Sequence, residues 1–265
     1  MTWISPEFEN VDGGGLVGFE TEGGGHTQRW HRFLTLDGKR AYEIGNVCGT
    51  CEFYFEKLAG ANRTFSADRL SAELEDLRVP PTPALLAALG RILPKGRFTA
   101  VLSEARPRLA MPATEFDYFS NEGIDLFGVD PFYGVPHSPK TPYYRLGEDS
   151  VPPKAVLFKL GIPFQNPNAL DLDTIARYRS DIRQGKQPTV FAIAVLDVKG
   201  PATWDGNPPF TEHYMLAQYV LDGHHKLRAA AELGAPIQFL SFLSAEESVA
   251  TPDELRAALR IMRGD

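Results

Sequence analysis

The stretch Tyr219–Gly234, YVLDGHHKLRAAAELG, changes its hydrophobic period once, and so holds two elements and the turn between them. Leu216–Leu221 reads as a mostly apolar strand, Asp222-Gly223 as a sharp turn, and His224–Leu233 as a helix that Gly234 ends through its permissive φ. A helix that starts after a glycine presents unpaired backbone N–H groups and the positive end of its dipole, a place where an anion can be held. This start also carries His224, His225, Lys226 and Arg228. Potentially cationic side chains packed so closely repel one another unless an anion such as phosphate neutralises them. A solvated basic surface is the other reading of the same pattern.

The run Asp222-Gly223-His224-His225-Lys226-x-Arg228-Ala229-Ala230 resembles the nucleotide-binding box of the ParB/sulfiredoxin superfamily, which includes partition-protein CTPases, sulfiredoxins and free serine kinases. The flanks agree with it: strands are expected over 156–162, 188–198, 215–221 and 237–243, and a helix over 172–185. The resemblance covers residues 154–245. It implies an α+β fold class, with a ParB/sulfiredoxin-like domain over 151–265 behind an N-terminal α+β region over 1–150. The boundary falls at Gly147–Lys154, around Pro152-Pro153.

What the resemblance implies for function is a nucleotide-binding protein that acts as a phosphotransferase or nucleotide hydrolase on a small molecule. The ligand would be a nucleoside triphosphate or diphosphate with Mg²⁺, ATP, ADP or CTP, its phosphates on Gly223, His224, His225, Lys226 and Arg228. Asp171, Asp222 and His225 are the candidate catalytic residues. Asp222 could orient a histidine, bind Mg²⁺ or only cap the helix. The alternatives are a nucleotide-switched protein-interaction module without turnover and a zinc-containing structural or regulatory protein. Departures from the family narrow the choice. Sulfiredoxin-like boxes read Gly-Cys-His-Arg with a nucleophilic cysteine, whereas position 224 here is a histidine. Partition proteins continue into a basic helix-turn-helix module, whereas this chain continues into one short helix near Pro252–Met262. The free serine kinases have boxes closer to Asp-Gly-His and an acidic base just after the first strand. Gln165, Asn166 and Asn168 stand there in this chain, and the nearest acids are Asp171 and Asp173.

The chain has 265 residues, 43% of them hydrophobic, enough to bury a sizeable core. A net charge of −7 disfavours nonspecific binding to nucleic acid, which needs a basic surface to release counterions. No apolar run is long enough to span a membrane, and the opening MTWISPEFENVDGGG has neither the basic start nor the apolar core of a signal peptide, so a cytoplasmic location is expected.

Cys48 and Cys51 are the only cysteines. Three readings stand for Cys48-Gly49-Thr50-Cys51: a structural Zn²⁺ site completed by His26 and His31, a dithiol redox centre, or two small buried hydrophobes in a reducing cytosol. A hairpin over 30–36 and 40–47 turns at Asp37-Gly38 just before it, and a helix is expected over 52–58, which would put the pair at a helix N-terminus. Further helices are expected over 66–78 and, capped by Thr82, to Leu93. A strand follows over 98–102, and an aromatic-rich irregular segment over 114–144 either lids a pocket or packs on the body. The glycine-rich opening, residues 1–25, reads as loop or loose hairpin.

Overall fold

The computed structural model describes residues 2–23, 31–49, 51–62, 74–77, 79–127, 139–200 and 212–264. The expected helix over 66–78 falls largely outside them. Short strands β1 (Trp3–Ile4) and β2 (Phe8–Asn10) open the chain. The strands β3 (Val17–Glu22), β4 (His31–Leu36), β5 (Lys39–Asn46) and β6 (Glu56–Lys57) form an antiparallel four-stranded sheet in that order. Asp37 and Gly38 both adopt positive φ, 51° and 67°, as the two-residue turn of a β4–β5 hairpin requires.

Helix α1 (Pro83–Gly90) is capped by the Thr82 hydroxyl, which accepts from the Leu85 N–H at 3.1 Å. After it come β7 (Gly96–Ala105), β8 (Arg108–Ala110), α2 (Glu122–Phe127), β9 (Tyr143–Val151) and β10 (Ala155–Pro163). The remaining elements are α3 (Leu172–Arg183), β11 (Thr189–Lys199), β12 (Glu212–Asp222), α4 (His224–Leu233), β13 (Ile237–Ser244) and α5 (Pro252–Arg263). A nine-stranded sheet runs β1-β7-β13-β11-β12-β10-β9-β8, with β2 also on β7. In it β10 and β12 are parallel, β11 and β13 are parallel, and the other pairs are antiparallel. The strands and helices expected after residue 154 are all present, and the chain is α+β.

Every residue of β11 is buried, because both faces of the large sheet are covered. One face carries the small sheet: Leu34, Tyr42 and Phe55 share a core with Ile162, Ile193, Tyr219 and Phe242. On the other face α4 lays Leu227 and Ala230 on Val190, Val220 and Phe239, while α5 lays Ala258 on Leu157, Leu196 and Leu216. Among the described residues no helix is long and apolar enough to cross a membrane.

Three observations differ from the sequence reading. Residues 52–58 are not helical: Phe53 and Phe55 are 2% and 0% exposed, an alternation of period two that leads into β6. The Cys48–Cys51 turn therefore does not sit at a helix N-terminus. Residues 2–23, expected as loop or loose hairpin, supply β1 and β2 to the large sheet and β3 to the edge of the small one. Gly147–Lys154 spans the end of β9 and the turn into β10, and strands from both sides of residue 150 hydrogen-bond in one sheet.

The two sheets are joined by a buried ion pair. Arg32 of β4 donates to the Asp197 carboxylate of β11, and their side chains are 3% and 1% exposed. The same guanidinium donates to the Glu247 and Ile44 carbonyls at 2.6 and 2.9 Å, and the Val249 N–H donates to Asp197 Oδ1 at 3.1 Å. Removing one partner leaves an uncompensated buried charge, so Asp197→Ala is expected to cost about 3–5 kcal/mol in urea unfolding, and Arg32→Met with Asp197→Leu less than that. A double variant as unstable as the single one would show that packing, not charge, carries the contact.

Candidate functional site

Because β10 and β12 run parallel, their C-terminal ends lie side by side, and α3 and α4 start from that edge. Gly223 makes the turn into α4 at φ 92°, ψ 21°. A Cβ there would meet the Val190 Cα at 3.1 Å, so the left-handed conformation and the close backbone approach both require glycine. No side chain caps the first-turn amides of α4. By contrast, α3 is capped by Asp171, whose Oδ1 accepts from the Thr174 N–H at 2.8 Å.

The box side chains diverge. His224 is 6% exposed, and burial, followed by the nearby charges of His225 and Lys57, pushes its pKa down to about 3. A hydrogen bond to the Val220 backbone works the other way, so the ring donates there. Its Nε2 has no partner among the described residues, which leaves Nδ1 as the donor and Nε2 as a buried lone pair. His225 Nε2 accepts from the Asp171 N–H at 3.2 Å, and burial lowers its pKa against the opposing pull of Asp171 and Asp222. The structure thus brings together His225 and Asp171. The Asp171 carboxyl is held below the usual carboxylate range mainly by Thr174, with a smaller contribution from His225.

Lys226 turns inward. It is 2% exposed and donates to the Leu74 and Thr189 carbonyls, both at 3.3 Å, while Asp222 Oδ2 and Glu75 Oε1 each lie 4.0 Å from its nitrogen. Tyr178 of α3 donates to Glu75 at 2.7 Å and presents its ring 5.8 Å from the ammonium. Burial lowers the Lys226 pKa. Asp222 Oδ2 itself has no hydrogen-bond partner among the described residues. Arg228 donates to Glu232 at 2.8 Å, one turn further along the helix.

Lys57 of β6 is a residue the sequence reading missed. It donates to the Phe164 carbonyl at 2.7 Å, directly after β10, and its charge reaches His224. The signal was the alternation Phe53-x-Phe55-x-Lys57, which points all three side chains to one face of an extended segment. His213, at the opposite end of β12, bonds the Tyr118 hydroxyl at 2.9 Å, and burial pushes its pKa down to about 4.

In the second candidate centre Cys48 and Cys51 are joined as a disulfide. His31 Nδ1 lies 2.5 Å from Glu43 Oε1, and Tyr54 donates to the same carboxylate oxygen. His26 lies outside the described residues. In this state the pair offers no thiolate to Zn²⁺, and among the described residues no three His, Cys, Asp or Glu side chains converge on one point. Comparison with protein-family models, curated proteins and solved structures gave no match.

The two buried histidines set an acid limit on the fold. Each binds a proton more weakly when folded than when unfolded, so their stabilisation is complete above about pH 6.5 and drains away as pH falls toward 4. Between pH 7 and pH 5 each ring is expected to remove about 2 kcal/mol of stability. His224→Gln and His213→Gln should each flatten that slope in urea titrations at a series of pH values. Slopes equal to that of the parent protein would show that neither ring is held neutral.

Proposed function

We propose that the protein binds a phosphorylated small molecule, a nucleotide, at the start of α4 and acts on it as a phosphotransferase or nucleotide hydrolase. The observation that carries this reading is the uncapped first turn after the left-handed Gly223, with the lone pair of the buried His224 Nε2 still unpartnered beside it. Phosphate oxygens would take the N–H groups of the helix start, with Lys57 as the adjacent cation. The His224 lone pair would accept a hydroxyl or amino proton of the ligand, which a phosphate oxygen cannot supply. Asp222 fits the base or the Mg²⁺ anchor better than Asp171, whose carboxylate is committed to capping α3. Lys226 then works from behind, holding residues 74 and 189 against the helix. The engagement of Asp171, Lys226 and Arg228 in structural contacts favours a second reading, in which the nucleotide is bound and not turned over.

Calorimetry with ATP, ADP and CTP, with and without Mg²⁺, tests the site, and loss of the nucleotide's terminal phosphate, to water or to an added small-molecule acceptor, separates the two readings. Lys57→Ala combined with His225→Ala is expected to weaken nucleotide binding at least tenfold, about 1.4 kcal/mol, while the far-ultraviolet circular dichroism stays native. If the parent protein binds none of the three nucleotides, the assignment fails.

A further inference from the structure

The Cys48–Cys51 pair is used by nothing in the α4 site. We propose that it is a reversible thiol–disulfide exchange centre that takes two electrons from a dithiol partner. The bond closes a loop of sequence separation 3, and such short loops constrain the unfolded chain least, so a staple here would contribute little to stability. The turn is also held without sulfur. The Lys199 ammonium donates to the Cys48 carbonyl at 2.7 Å, the Gly200 N–H donates to the Gly49 carbonyl at 2.8 Å, and the buried Phe53 and Phe55 pin the chain beyond. These contacts survive reduction and keep the two Cα atoms near their present 5.3 Å, inside the range from which a disulfide closes. Reduction therefore leaves two facing thiols on an intact fold. Both cysteines are half-buried and Gly49 between them is exposed, so a thiolate can approach from solvent. The chain has no further cysteine, which removes competing pairings within it.

The exchange balances in two steps. A thiolate of the dithiol partner attacks one sulfur of the pair, forming a mixed disulfide as the Cys48–Cys51 bond breaks, and the released thiolate takes up a proton. The partner's second thiolate then attacks its own sulfur in the mixed disulfide, expelling the other cysteine, which also takes up a proton. The partner leaves as a disulfide, and two electrons and two protons have passed to the pair.

The test equilibrates the full chain in graded mixtures of dithiothreitol and its oxidised form, alkylates it, and counts modified cysteines by mass. The expected result is a single transition between no modified and two modified cysteines, the same from either direction, with the unfolding midpoint in urea nearly unchanged by reduction. In oxidised glutathione, Cys51→Ser should trap one glutathione on Cys48. Three results would overturn the proposal: a disulfide that resists dithiothreitol until the protein is unfolded, reduction that itself unfolds the protein, or a reduced chain that binds one Zn²⁺ and then no longer reoxidises.

Discussion

The buried pair Arg32–Asp197 sets the relation between the two sheets, and the candidate site depends on that relation. A guanidinium withdrawn from water is costly unless its donors are used, and here the two terminal nitrogens reach a carboxylate on the large sheet and carbonyls on two separate segments, while Nε has no partner among the described residues. Such a pair tolerates little sliding. It holds β4, and through the β-ladder β5 and β6, at one position over β11 and its neighbours. Lys57 can therefore reach the Phe164 carbonyl at the end of β10, although the two residues are far apart in the chain. Tyr42 strengthens the same edge by donating to the Pro163 carbonyl at 2.7 Å.

At that edge two helix starts meet under unlike conditions. The α3 start is capped by its own aspartate, and its approach is tied to α4 by the His225 ring. The α4 start has a glycine in the capping position, which closes the turn and leaves the amides for another partner. Glycine is required there by the Val190 backbone, a steric demand of the sheet. The absence of a cap is thus a by-product of packing as much as a feature suited to ligand binding.

Much of this was legible in order along the chain. The strand, turn and helix of 216–234, the Asp37-Gly38 hairpin and the Thr82 cap follow from local rules that act over a few residues. What was not legible depends on partners distant in sequence. The carbonyl of Leu74 that receives Lys226 is 152 positions away, and no local pattern marks it. Phe53 and Phe55 read as a helix because aromatic residues are ambiguous in short runs; pairing of the adjoining Glu56–Lys57 with β5 decides for extended backbone. The cysteine pair was visible as a motif, whereas the Lys199 and Gly200 anchors that hold its turn come from the end of β11.

The α4 start is less basic than its residue types suggest. Counting His224, His225, Lys226 and Arg228 as cations made the helix start look strongly basic, and that count was the sequence argument for phosphate. Burial lowers the pKa values of both histidines, Lys226 lies between Asp222 and Glu75, and Arg228 is matched by Glu232. The attraction left for an anion is the oriented backbone of the first turn together with Lys57, which comes from the other sheet. Backbone dipoles fall off within one turn and a single lysine is a point charge, so the proposed ligand would have to bring its phosphate close to the Gly223 turn. On the proposed reading such a site would select by fit at the turn, and the unpartnered His224 Nε2 would add a demand that the ligand carry a hydrogen-bond donor next to its phosphate. That combination describes a phosphorylated molecule with a neighbouring hydroxyl or amine better than it describes a free inorganic anion.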